Sequence, residues 1–323
     1  MTYHPPLLSV AIVVKNNGRE LSTCLRSVQF VADEVIVVDQ GSTDDTVAVA
    51  CRHGAKVMHS PWDGDVSRPR NVAMTACRGD WVLFLEAHET LEDGSQFRIR
   101  PAIEAAMRQE ANVAALSLSV RVPEARPDRL QYRTSQQHRL VRRAAGVCFS
   151  GSAVPRVQAQ PETMGPTDLV VEASATARSA ARLAQQQALL LAALRASPEQ
   201  SDLMARLGLV FRAAGEHALA VPVLEQALED ASLDTDLKRQ AHVTLGELYF
   251  SADRTSEAMV QAQEALTCDA EDPAALLLGF ECAVDMDGPE VPRLADALEL
   301  TTSLGTLARV WVAEAQFRAA AVA

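Results

Sequence analysis

Short apolar runs alternate with amphipathic stretches along the first half of the chain, while the second half keeps a helical spacing throughout. Leu8–Val14, Glu34–Val38, Lys56–His59 and Trp81–Leu85 have the length and the Val, Ile and Leu content of buried strands. Between them the spacing becomes helical. Arg19–Val28 puts Leu21, Cys24, Leu25 and Val28 on one face. A second helix ends near His53, where Gly54 fits a left-handed cap. Ser67–Ala76 and Ser95–Gln109 continue the series, and Val113–Val120 is a further strand. Such alternation predicts a mostly parallel sheet covered on both faces.

From Arg121 to Asp168 the pattern breaks at Pro123, Pro127, Pro155, Pro161 and Pro166, and a basic run (Arg121, Arg126, Arg129, Arg133, Arg139, Arg142, Arg143) begins. This segment reads as loops with one or two strands, then a linker. A basic loop over a strand-end pocket can neutralise a diphosphate; it can equally be a solvated surface. From Ala175 on, the chain is helical and self-similar. Leu207-Gly208, Phe211, Ala220, Leu224 and Ala227 form one register, and Leu245-Gly246, Tyr249, Ala258, Ala262 and Ala265 a second. Gly279 opens a degenerate third. Small residues at helix crossings with large ones between them let antiparallel helix pairs stack, and these positions resemble the tetratricopeptide repeat. The helix Arg178–Arg195 would be its lead-in cap.

Composition narrows the function classes. The 323 residues suit two domains, and 48% hydrophobic content suffices for two cores. The net charge of −12 lies almost wholly in residues 176–323, which hold 22 Asp and Glu against 11 Lys and Arg. An acidic second half argues against nucleic acid as a partner and suits a solvated helical surface or a basic protein partner. No apolar run approaches a membrane span. The amino terminus lacks a signal-peptide pattern. The six scattered cysteines form no CxxC pair, so reduced thiols, a cytoplasmic location and no zinc site are expected.

The most informative segment is Val37-Val38-Asp39-Gln40-Gly41-Ser42-Thr43-Asp44-Asp45-Thr46. Asp39 ends a strand, where ligands bind in open α/β sheets. Gly41 permits a tight turn, Ser42 or Thr43 can cap the next helix, and Asp44 and Asp45 suit its positive end. A carboxylate at a strand end accepts hydrogen bonds from a ribose or a base N–H and is ill suited to phosphate. By spacing alone the segment is an ordinary strand–turn–helix.

In order and spacing, several pieces between residues 7 and 90 resemble the nucleotide-diphospho-sugar-binding half of family 2 glycosyltransferases of the A-type fold. They are Val13-Val14-Lys15-Asn16, Cys24-Leu25-Arg26-Ser27-Val28, Asp33 to Asp39, Gly41-Ser42-Thr43-Asp44, Gly54-Ala55-Lys56-Val57, Arg70-Asn71 and Gly79 to Leu85. The resemblance implies an α/β plus all-α chain: a Rossmann-like nucleotide-sugar-binding domain over residues 1–168, then a tetratricopeptide-repeat-like helical domain over 169–323. It also implies roles. Asp39 contacts the base or ribose, Asp44 and the turn from Gly41 shape that pocket, Lys15 and Asn16 line it, and Arg70 approaches the diphosphate or braces the loop beneath it. The donor would be a UDP- or GDP-linked sugar, and some relatives with such repeats glycosylate peptides or proteins.

The departures from the family are as informative. Where the family has Asp-x-Asp for a divalent metal, this chain has Glu86-Ala87-His88, followed by Glu89. Glu86 and His88 are the candidate ligands, and an imidazole favours Mn²⁺ over Mg²⁺. Val154 and Pro155 stand where relatives place a His-Glu pair, and no histidine accompanies Thr163-Met164-Gly165 where a His-x-Gly is usual. The catalytic base is open among Glu89, Asp93 and Glu124, each acidic and beyond a predicted strand. Two functions follow: an inverting glycosyltransferase whose repeats present a protein or peptide acceptor, or an inactive relative that serves as a binding module or scaffold.

Overall fold

The computed structural model describes residues 7–108, 113–125, 130–143, 146–160, 163–174, 179–286 and 290–301. The chain divides into two compact units, Met1–Arg182 and Leu183–Ala323.

In the first unit β1 (Leu8–Val14), β2 (Glu34–Asp39), β3 (Lys56–His59) and β4 (Trp81–Glu86) lie parallel in the order β3-β2-β1-β4. They are joined by α1 (Gly18–Val28), α2 (Thr46–Arg52) and α3 (Arg68–Ala76). Alternation along β1 sets the two cores. Leu8, Val10, Ile12 and Val14 pack with Leu21, Leu25 and Val28 of α1. Ala11 packs on the other face with Ile36, Val38, Phe84, Ala73 and Met74. A sheet covered on both sides needs such apolar strands. At the amino-terminal end of the sheet, Gly79 is required by close approach: an added Cβ would lie 2.6 Å from the Ser9 backbone nitrogen. Its N–H donates to Ser9 Oγ (2.9 Å), which in turn donates to Glu34 Oε1 (2.6 Å).

The sheet is larger than the pattern suggests. After β5 (Glu89–Leu91) and α4 (Asp93–Arg108) come β6 (Ala115–Ala125), β7 (Leu130–Arg142), β8 (Cys148–Ser150), β9 (Arg156–Gln158) and β10 (Met164–Ala173). The main sheet runs β3-β2-β1-β4-β7-β6-β10-β5, and β8 and β9 form a small sheet of their own. The stretch expected to be loops with one or two strands therefore holds a long hairpin and most of a half-sheet. β7 runs antiparallel to both β4 and β6, so the sheet is mixed beyond β4. The pattern hides β7 because both its faces are polar over most of its length, and Leu140 and Val141 near its end are its buried apolar pair. Polar ladder contacts such as Gln136 Nε2 to Ser119 Oγ (2.8 Å) replace apolar alternation. β10 also crosses the expected boundary at residue 168, because Leu169, Val170 and Val171 are buried in this sheet.

The second unit is a run of helices: α5 (Ala180–Ala196), α6 (Ser201–Ala213), α7 (His217–Leu228), α8 (Thr235–Ser251), α9 (Thr255–Cys268), α10 (Pro273–Asp285) and α11 (Val291–Thr301). The repeat registers fall on α6–α7 and α8–α9, and α10–α11 follows them. Gly208 and Gly246 sit at crossings: a Cβ at Gly208 would lie 2.6 Å from Leu224 Cγ, and one at Gly246 2.5 Å from Leu278 Cδ2. Asp272 caps α10 by accepting the Ala275 N–H (2.7 Å) and also pairs with Arg239 of α8, which ties consecutive repeats together. No described helix is long and apolar enough to cross a membrane.

Candidate functional site

Strand order places the site. The chain passes β1, β2 and β3 in one direction, then crosses to β4 on the other side of β1. That reversal opens a crevice at the carboxyl ends of β1 and β4, the place where such sheets bind ligands. The register puts Val14 beside Asp39 and Val13 beside Glu86. Asp39 and Glu86 thus end the strands on either side of β1, two strand spacings or about 10 Å apart at the backbone. Lys15 and Asn16 follow β1 directly and are exposed.

The loops at the end of β2 are built from one another. Asp39 is buried, and its carboxylate accepts the N–H groups of Gly41 (3.1 Å) and Ser42 (3.1 Å). Gly41 turns with φ +91°, which a side chain disfavours. Asn16 has φ +53°, donates its N–H to Ser42 Oγ (2.9 Å) and accepts from the Thr43 N–H (2.7 Å). Asp44 accepts the N–H groups of Thr46 (3.0 Å) and Gly18 (3.4 Å), joining the starts of α1 and α2. The helix-capping expectation shifts here: Asp45, not Ser42 or Thr43, is the N-cap of α2, because Ser42 and Thr43 are spent on Asn16. His59, at the end of β3, places Nδ1 3.4 Å from Asp39 Oδ2 and is largely exposed. Sequence reasoning passed over it, since a His closing a short edge strand carries no motif.

The end of β4 is an ion-pair cluster. Arg70 of α3 donates to Glu86 and, through Nη1, to the Val66 carbonyl (2.8 Å). Arg139 of β7 stands 3.8 Å from Glu86 Oε1, donates Nη2 to Glu89 Oε1 (3.1 Å) and Nε to Gln137 (2.9 Å). Glu89 also accepts the Glu86 N–H (2.7 Å) and is buried in β5. Burial pushes the Glu86 carboxyl upward, but Arg70 and Arg139 outweigh it and hold the group below the ordinary carboxylate range. Burial draws His88 below its ordinary value against the opposing pull of Glu89 and Glu86, so its imidazole is neutral near pH 7. Of these residues, Arg139 was visible only as one of the basic run.

The donors at 86–89 do not fit a divalent ion held by Glu86 and His88. Two unit charges 4 Å apart interact by about 4 kcal/mol at an effective dielectric of 20. An ion on Glu86 would meet that repulsion doubly from each guanidinium, offset by the attraction of Glu86 and Glu89, and would have to displace Arg70 from the carboxylate it already neutralises. Among the described residues no three His, Cys, Asp or Glu side chains form a metal-holding group. The other expected acids lie apart from the cluster. Asp93 is exposed and opens α4, accepting from Gln96 Nε2 (3.2 Å). Glu124 pairs with Gln131 in the β6–β7 ladder, and its side chain is outside the described residues.

Val154 and Pro155 lie between β8 and β9. This hairpin is fixed to α3 by Asn71, which donates Nδ2 to the Phe149 carbonyl (2.9 Å) and accepts the Phe149 N–H (2.8 Å). Ser67 Oγ adds a bond to the Gly151 carbonyl (2.7 Å). The neighbours Arg70 and Asn71 therefore hold the two sides of the site.

A strand-end crevice with an acid at β2 and charged residues at β4 lies where open α/β sheets bind their ligands. The sequence model described as Glycosyl transferase family 2 matches residues 9–156. A TPR repeat-containing protein of Synechococcus elongatus is 44% identical over 84 residues, 26% of this chain and 21% of that one. An uncharacterized glycosyltransferase of Rickettsia conorii is 44% identical over 92 residues, 28% of this chain and 32% of that one. The prophage-derived glycosyltransferase SunS of Bacillus subtilis is 32% identical over 84 residues, 25% of this chain and 20% of that one. The chain thus spans at most 32% of the length of these relatives. Among solved structures, glucosyl-3-phosphoglycerate synthase from Mycobacterium tuberculosis in complex with phosphoglyceric acid aligns with a TM-score of 0.30 at 22% identity, covering 36% of this chain and 44% of that one.

Proposed function

We propose that the chain transfers a sugar from a nucleoside diphosphate sugar, UDP- or GDP-linked, to an acceptor, and that the helical unit presents a protein or peptide as that acceptor. The carrying observation is the pairing, across β1, of the braced Asp39 turn with the arginine-bearing cluster at Glu86. In this reading Asp39, Gly41, Asp44, Lys15 and Asn16 receive the nucleoside. The diphosphate reaches across β1 toward Arg70. Departure of the diphosphate develops negative charge, which fixed guanidinium groups stabilise without reorganising. Inversion requires a base to take the acceptor proton. Of the three acids considered, Glu89 sits in the cluster, but its carboxylate is already engaged by Arg139 and the Glu86 N–H.

A second reading has one specific observation behind it: Val154 and Pro155 can neither move a proton nor bind a metal. In that reading the domain binds the nucleotide and the helices carry the function.

Two measurements separate them. Saturating nucleoside diphosphate at a hundred times its dissociation constant should stabilise the protein by about 2.7 kcal/mol, and the matching nucleotide sugar should release nucleoside diphosphate on incubation. Binding without release selects the second reading. The absence of any thermal shift across UDP, GDP, CDP, ADP and dTDP rejects both.

A further inference from the structure

The acids at the end of β4 are already balanced. Glu86 and Glu89 bring two negative charges, and Arg70 and Arg139 bring two positive ones from α3 and β7. Both guanidinium side chains are largely buried, at 11% and 13% exposure. Arg70 donates to Glu86 and to the Val66 carbonyl. In Arg139 the Nε and Nη2 have partners, while Nη1 is shut off from solvent with no hydrogen-bond partner. A buried donor of this kind is costly unless something fills it. It stands 3.8 Å from Glu86 Oε1, an ion pair without a hydrogen bond, so a phosphate oxygen can accept from it without breaking a hydrogen bond the protein has made.

We propose that this site binds the diphosphate of its nucleotide without a divalent cation, with Arg139 as the phosphate-contacting residue and Glu86 as the positioning residue that holds Arg70 and Arg139 together. The inference rests on the nucleotide-sugar reading above. It assigns Glu86 a task opposite to that of a metal ligand: its charge is spent on orienting cations. A planar guanidinium suits the role, since it offers one edge to Glu89 and keeps another N–H for a phosphate oxygen, which a lysine cannot do.

The test is calorimetric binding of UDP, GDP, CDP, ADP and dTDP to the full chain, in EDTA and again in excess Mn²⁺. An electron paramagnetic resonance titration of Mn²⁺ against the nucleotide-free chain accompanies it. The nucleotide that binds should do so within about threefold in the two conditions, and the chain should leave the free Mn²⁺ signal unchanged. Arg139→Lys should weaken diphosphate binding in EDTA by about tenfold or more while leaving binding of the corresponding nucleoside, which lacks phosphate, unaltered. A merely structural arginine would move both together. Binding that appears only with Mn²⁺ overturns the metal-free inference and leaves the nucleotide-sugar reading standing. Binding in neither condition overturns both. The wild-type comparison decides the matter even if the variant does not fold.

Discussion

Gly246 and Gly279 occupy the same register of successive repeats, yet replacing each by alanine should change stability unequally. In a helix interior the exchange of Gly for Ala is worth about 1 kcal/mol of intrinsic propensity. At Gly279 nothing opposes it: an added Cβ would meet Leu294 Cδ1 at 3.6 Å and Ala262 Cβ at 3.7 Å, ordinary contacts. At Gly246 the same Cβ would lie 2.5 Å from Leu278 Cδ2, 3.1 Å from Gln261 Cβ and 3.3 Å from the Ala258 carbonyl. The leucine tip can rotate, but the other two atoms belong to α9 and move only if the helices part. Overpacking of that kind costs about 1–3 kcal/mol, so the propensity gain is cancelled or exceeded. Gly279→Ala should stabilise by about 1 kcal/mol, and Gly246→Ala should fall about 1–3 kcal/mol below it. Urea unfolding of the full chain, followed by helical circular dichroism, reads both midpoints. Equal stabilisation by the two substitutions would refute the close crossing of α8 with α9 and α10.

Arg239→Ala should cost about 3–5 kcal/mol, because it leaves Asp272 buried without its partner; denaturant unfolding of single and double variants would give the coupling. Asn71→Ala removes both bonds to Phe149 and should cost about 1–3 kcal/mol, with faster proteolysis around residues 148–158 as the readout. His242 is buried beside Gln261, and burial lowers its pKa against the bond to Gln261. The unfolded chain takes up that proton near pH 6.5 while the folded chain resists it. The stability associated with neutral His242 is therefore complete above about pH 6.5 and is lost as pH falls below it. Thermal melts from pH 7.5 to 5 should show the decline, and His242→Gln should flatten it.

The parts of the fold legible in the chain are those where burial imposes a period. β1 to β4 and their helices sit close to where the apolar runs place them, and Gly208 and Gly246 mark helix crossings as their spacing suggests. β7 was illegible because a strand lined by Arg, Gln, Thr and Ser has no apolar alternation, and its stability comes from ladder and side-chain bonds with β6. The same gap hid the site's second half. Glu86 and His88 stand out as an altered metal motif, but that Glu86 faces arginines depends on β7 entering beside β4 in the antiparallel sense. No local pattern encodes that. Asp39 was legible as a strand-end acid, whereas its commitment to the Gly41 and Ser42 N–H groups emerges only from the turn geometry.

The cluster at β4 also has an order of assembly. Arg70 and Glu86 are 16 residues apart, whereas Arg139 reaches Glu89 across 50 residues and Asn71 reaches Phe149 across 78. Longer closures cost more chain entropy and come later. As the chain leaves the ribosome, the Arg70–Glu86 pair has both members before Arg139 exists, and Glu89 waits for its cation until the β6–β7 hairpin arrives. The loops around Asp39, all within the first 46 residues, are complete well before that. A nascent chain thus holds the Asp39 turn early and gains the charge balance at β4 only when the hairpin docks, while β10, made later, completes the sheet beside β5.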